Sequence, residues 1–78
     1  MEKPLNQMVP GESAQVVRVD GPKQFVRRLF ALGVAPGAHI HFVRKAPLGD
    51  PLQVRIAGSN LSIRHGEAEQ VRVTFQGV

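Results

Sequence analysis

His39 and His41 stand two residues apart in His39-Ile40-His41-Phe42-Val43-Arg44-Lys45, a run whose alternation marks a strand. That spacing puts both imidazoles on one face, close enough to chelate a divalent ion weakly. No third ligand lies near them in sequence, and two exposed polar residues are the simpler reading. Asp50, Glu67 and the three histidines form no recognisable acid–base set. Cysteine is absent, which removes thiolate nucleophiles, thiolate zinc sites and disulfides. No glycine-rich phosphate loop or Ser-x-x-Lys arrangement occurs, and 78 residues leave little room for a cleft that buries a substrate. The expectation is a protein that binds a partner, with no catalytic residues, no cofactor and no resident metal.

Ten Lys and Arg against six Asp and Glu leave a net charge of +4, which suits an acidic partner or nucleic acid. The charges are scattered, however. Only Arg27-Arg28 and Arg44-Lys45 are adjacent, as an ordinary solvated surface would have them. Proteins that hold single strands stack bases on aromatic rings. This chain has four Phe, no Tyr and no Trp, and Phe25, Phe30, Phe42 and Phe75 all read as core. The same shortage removes the aromatic groove with which eukaryotic-type SH3 domains capture proline-rich peptides. Met1-Glu2-Lys3-Pro4 is no signal peptide, and no apolar run reaches the ~20 residues of a membrane span. A cytoplasmic protein without membrane insertion is therefore expected.

The elements that must position these residues form one domain over 1–78. Residues 1–12 read as a loosely ordered lead-in, with Leu5 and Met8 as candidate anchors and Pro10-Gly11 as a turn. Ala14 to Val19 is a strand whose valines fall on both faces, which calls for a bulge or for cover on both sides. A helix is expected from Pro22, capped by Asp20 or Gly21, with Phe25, Val26, Leu29, Phe30 and Leu32 as its apolar stripe. Gly33 should end it with positive φ, and Val34 should fold back onto Leu29. Pro36 and Gly37 then make a turn. After the 39–45 strand come a loop shaped by Pro47, Gly49 and Pro51, a strand Leu52–Ile56, and a strand Leu61–Arg64. A two-residue turn at Gly58-Ser59 would set Ile56 opposite Leu61 and Val54 opposite Ile63, all on one face. His65 to Glu69 reads as a short turn, one helical turn at most, before a last strand Val71–Phe75. Five short strands with one helix inserted after the first suggest a mostly β fold, a small and strongly bent barrel.

Three stretches carry a family resemblance. Arg27-Arg28-Leu29-Phe30-Ala31-Leu32-Gly33-Val34 with Pro36-Gly37 resembles the "RRL-x-x-LG-hydrophobic-x-PG" signature of the ferrous iron transport protein A (FeoA) family. Ala46-Pro47-Leu48-Gly49-Asp50-Pro51-Leu52 is similar to its "APLGDPL" element. Gly58, Leu61, Ile63, Arg64, Glu67, Ala68, Val71 and Val73 follow its tail pattern. The resemblance runs from about residue 5 to residue 75. It implies an SH3-like barrel and a cytosolic accessory role in bacterial ferrous iron uptake, beside the membrane GTPase transporter FeoB. The same domain type occurs fused to iron-dependent repressors, so a transcription regulator or a small basic nucleic-acid-binding barrel is the alternative. On the FeoA reading, the partner is the cytosolic G-protein domain of FeoB, reached at the inner face of the membrane, with weak self-association a further possibility. The contact residues would be Arg27, Arg28, Leu32, Val34, Pro36, Leu48 and Asp50. Gly33, Gly37, Pro47, Gly49 and Pro51 would shape the backbone that presents them.

The metal reading is open to direct measurement. Calorimetric titration of the monomer with ferrous iron should show no tight stoichiometric site. His39 and His41 should bind zinc or nickel weakly, and more strongly when a neighbouring molecule supplies a third ligand. A tight one-to-one ferrous site would overturn this expectation.

Overall fold

Backbone hydrogen bonding joins six strands into one antiparallel sheet in the computed structural model, which describes residues 2–75. In chain order the elements are β1 (Glu2–Pro4), a 3-10 turn (Leu5–Gln7), β2 (Ser13–Val19), α1 (Lys23–Ala31), β3 (His39–Lys45), β4 (Leu52–Ile56), β5 (Ser59–Ile63), α2 (His65–Ala68) and β6 (Val71–Thr74). The strand order is β1-β6-β2-β3-β4-β5, an open sheet rather than the closed five-strand barrel expected from sequence. The additional strand is β1, so α1 follows the second strand and not the first.

The described part of the expected lead-in, residues 2–12, is correspondingly not loose. Glu2-Lys3-Pro4 has no strand propensity of its own, with two charges and a proline. It is held by pairing with β6 and by the Glu2 carboxylate, which lies 2.6 Å from Arg18 Nη1 and 3.7 Å from Arg72 Nε. Leu5 and Met8, just beyond, are fully buried in the core with Val16, Leu29, Ile40 and Phe42. Local propensity could not show this, because the stabilisation comes from strands distant in sequence.

Each register carries a physical reason. The pairing of β2 with β6 shifts between Val16 and Arg18, so of the two arrangements that valines on both faces allowed, the bulge is present. A second shift, between Phe42 and Arg44, interrupts the alternation of β3, and Val43, Arg44 and Lys45 are all exposed. The β4–β5 turn differs from expectation. It consists of Ala57-Gly58, both at positive φ (52° and 78°), as a type I′ turn requires. Ile56 therefore lies opposite Ser59, Val54 opposite Leu61 and Leu52 opposite Ile63. The register is two residues from the expected one, so the apolar residues keep the same face although every pair changes. Ala57 is unfavourable at positive φ, which is why Gly58-Ser59 looked like the better turn.

The helix begins one residue later than its sequence implied. Pro22 is its N-cap, in extended conformation, and neither Asp20 nor Gly21 caps it. The Asp20 carboxylate instead accepts from Arg18 Nε at 3.1 Å. At the other end Gly33 has φ 97°, its N–H donates to the Phe30 carbonyl (3.0 Å), and the Val34 N–H donates to Leu29 (2.9 Å). These two bonds are the Schellman pair. Only Leu29 of the expected stripe is fully buried, and Phe30 stays 46% exposed, contrary to its reading as core.

Two substitutions test this architecture. A Cβ on residue 33 would sit 3.3 Å from the Ala57 Cβ, at a φ that β-branched residues avoid. Gly33→Val should cost about 1–3 kcal/mol and lower the melting temperature visibly. A mutant as stable as the parent would refute the helix-end geometry. Leu5→Ala should cost about 2–5 kcal/mol, as a core truncation does, whereas a loose lead-in would leave the midpoint unchanged.

Candidate partner-binding surface

The last turn of α1 and the residues that follow it carry most of the expected contact residues. The Schellman turn sends the chain back on itself, so Leu32 is left 47% exposed while Val34 is driven into the core. Val34 is therefore unavailable to a partner, and its place among the contact residues is corrected: it packs with Leu29 inside the domain. Pro36 is exposed on the following turn. Gly37 takes φ 91° there, and its N–H donates to the Val16 carbonyl at 2.8 Å, tying that turn to β2. Arg27 faces solvent and has no charged partner among the described residues. Arg28 forms an ion pair through Nη2 with Glu67 Oε2, and its guanidinium lies 5.6 Å from the Phe25 ring. Both members of that pair are partly exposed, so its contribution is that of a surface salt bridge, on the order of 1 kcal/mol or less.

The loop between β3 and β4 presents Leu48 at its tip, 96% exposed. Its shape is set by backbone bonds: Gly49 N–H to the Ala46 carbonyl (2.7 Å) and Ala46 N–H to the Pro51 carbonyl (3.0 Å). Gly49 has φ 88°, and Pro47 and Pro51 bracket it. Asp50 has an internal role. Its Oδ1 accepts the His65 N–H at 2.9 Å, which fastens this loop to the start of α2. On α2 itself, Glu67 Oε1 accepts the Arg64 N–H at 3.3 Å while its other oxygen holds Arg28. Asp50 and Glu67 thus join α1, the 46–51 loop and α2 into one surface.

Between them lies an open cleft of about 450 Å³. Arg28, Leu32 and Asp50 line it, so the fold does bring together expected residues that are far apart in sequence. Arg27, Pro36 and Leu48 lie outside it. Leu61, Ser62, Arg64 and Glu67 also line the cleft and were not read from sequence as contact residues. Their one visible signal was Glu67, three residues after Arg64, at the spacing of a helix-start carboxylate. Away from the residues that line the cleft, His39 and His41 are exposed on β3, and His41 Nδ1 is 2.8 Å from Ser13 Oγ. Among the described residues no group of three His, Cys, Asp or Glu is placed to hold a metal ion. No helix among the described residues is long and apolar enough to cross a membrane. The helix end, loop tip and cleft offer apolar side chains, arginines and strand backbone, the equipment of binding.

Comparison with known proteins identifies the family. The FeoA domain family model matches residues 3–74. A fusion of Fe(2+) transport protein A with the Fe(2+) transporter FeoB, from Porphyromonas gingivalis, is 36% identical over 69 residues. That match covers 88% of this chain and only 8% of the relative. The FeoA protein of Chlorobium tepidum superposes with a TM-score of 0.89 at 36% identity, covering 95% of this chain and 70% of that one. The FeoA of Stenotrophomonas maltophilia, a prokaryotic SH3-domain protein solved with zinc, has a TM-score of 0.79 at 31% identity and covers 91% and 88%. With the family model spanning nearly the whole chain, the protein belongs to the FeoA family, which serves ferrous iron transport.

Proposed function

We propose that this chain is a cytoplasmic accessory protein of ferrous iron uptake, acting by contact with the GTPase domain of a FeoB-type transporter. The observation that carries the reading is the Porphyromonas gingivalis relative, in which the corresponding domain and the transporter share one polypeptide. Covalent fusion holds two modules at high effective concentration, which favours a contact too weak to persist between separate chains. The surface is suited to such a contact. Leu48, Leu32 and Phe30 are apolar and exposed, and Arg27 stands free beside the helix end. The leucine at the loop tip is an apolar group that only a partner would cover, and arginine is among the residues that most often anchor interfaces. Burying less than about 1,200 Å² would give a transient interface, with affinity in the micromolar range.

The test separates binding from folding. Leu48→Ala and Arg27→Glu alter side chains that the domain does not use internally, so both variants should keep the parent's melting temperature. Each should weaken binding to the purified GTPase domain about tenfold, a loss of ~1.4 kcal/mol, and lower ferrous iron uptake. Folded variants that bind and support uptake normally would show that the contact lies elsewhere.

A further inference from the structure

Among the described residues β5 is an edge of the sheet, paired with β4 on one side and with no strand on the other. The two-residue turn makes Ile56 and Ser59 a hydrogen-bonded pair, and antiparallel alternation places Val54–Leu61 and Leu52–Ile63 in the same class. The N–H and C=O groups of Ser59, Leu61 and Ile63 therefore face β4. Those of Asn60 and Ser62 point along the free edge, and among the described residues nothing there bonds to them. The other edge of the sheet is β1, a three-residue strand with two charges and a proline, which is how proteins blunt an edge against pairing. Ser59-Asn60-Leu61-Ser62-Ile63 has no charge, no proline and no register shift against β4. One edge is protected and the other is left open, beside the cleft.

We propose that β5 accepts an extended segment of the partner protein as an added antiparallel strand, and that this segment alternates apolar and acidic residues. The inference rests on the proposed partner contact and adds how the partner is held. Leu61, Ser62 and Ile63 form one wall of the cleft, and Leu29 and Leu32 of α1 form the other. Leu61 is half-buried on the core face, opposite Val54. Apolar side chains of an added strand would lie beside it and cover Leu32, extending the core under α1. Alternate side chains would fall on the outer face, where Arg55 reaches across β5 with Nε 3.5 Å from Asn60 Oδ1, and Arg64 follows the strand. The two carboxylates of the cleft are already engaged, Asp50 with the His65 N–H and Glu67 with Arg28 and the Arg64 N–H. The charges left to select a partner are thus positive. β5 itself carries no acidic residue to offer Arg55 and Arg64 in a second copy, so an acidic strand fits the edge better than this chain itself.

The experiment titrates the isotope-labelled full chain with the acetylated, amidated peptide Glu-Val-Glu-Leu-Glu-Val-Glu, read by amide NMR shifts and hydrogen exchange. The Asn60, Ser62 and Leu32 amides should shift, and exchange should slow at Asn60 and Ser62. Two N-methylated peptides supply the control, one blocked at its Glu amides and one at its Val and Leu amides. Only one set can face β5, so one peptide should bind about tenfold or more weakly and the other within about twofold of the parent. Absence of binding, equal effects of the two blocked peptides, or shifts confined to other surfaces would overturn the inference. Shifts of the β5 amides with protein concentration alone would overturn it in favour of self-pairing. A GTPase domain that shifts the helix end but leaves Asn60 and Ser62 exchanging freely would overturn strand addition while the partner contact stands. Peptide addition at β5 without binding of the GTPase domain would support the strand site and remove the transporter reading.

Discussion

At Gly33 the backbone takes φ 97°, and the chain reverses over two hydrogen bonds, to Phe30 and to Leu29. Most of the candidate contact surface depends on that reversal. It carries Val34 under the helix, where it packs with Leu29, and leaves Leu32 outside. It also brings residue 33 so near the β4–β5 turn that a Cβ would stand 3.3 Å from that of Ala57. A side chain at this position would push the helix end away from the hairpin and widen the cleft between them. The glycine thus serves two constraints at once, a backbone angle and a close approach.

Polar contacts complete what the reversal begins. α1, the 46–51 loop and α2 are separated by long stretches of chain, and two interactions draw them together, Asp50 with the His65 N–H and Glu67 with Arg28, while the Arg64 N–H donates to Glu67 and fixes that carboxylate at the start of α2. None is a buried ion pair of large energy, and each lies at an exposed surface. Their effect is geometric, because they orient elements that the apolar core already holds. Residues that look like free contact groups in sequence, Asp50 above all, are taken up in this way. Those left over, Arg27, Leu48, Leu32 and Phe30, are the ones offered to solvent.

On the proposed reading, the division of labour is simple. The core and the sheet give a small rigid body, and recognition falls to a few exposed apolar groups among positive charges. The sheet itself is asymmetric in its edges, one closed by Glu2, Lys3 and Pro4 and the other open along β5. A domain of this kind contributes orientation and weak affinity, which suffices when its partner is near or, as in the Porphyromonas gingivalis relative, part of the same chain.

Where local chemistry sets the structure, the sequence was legible. The 39–45 and 52–56 strands follow from their alternation, the helix end from Gly33, and the bulge in β2 from valines on both faces. The FeoA family was readable too, because many of its signature residues turn the backbone, as Gly33, Gly37 and Gly49 do, or fill the core, as Leu29, Ile63 and Val71 do. The tertiary structure alone decided the rest. Strand β1 exists because β6 and two arginines hold it, and Ala57 accepts positive φ because the register of β4 and β5 demands a turn there. Whether Leu32 and Phe30 face inward or outward depended on what the rest of the chain placed over them. Periodicity reports which side chains are apolar, but burial is a property of two surfaces, and the second surface is distant in sequence.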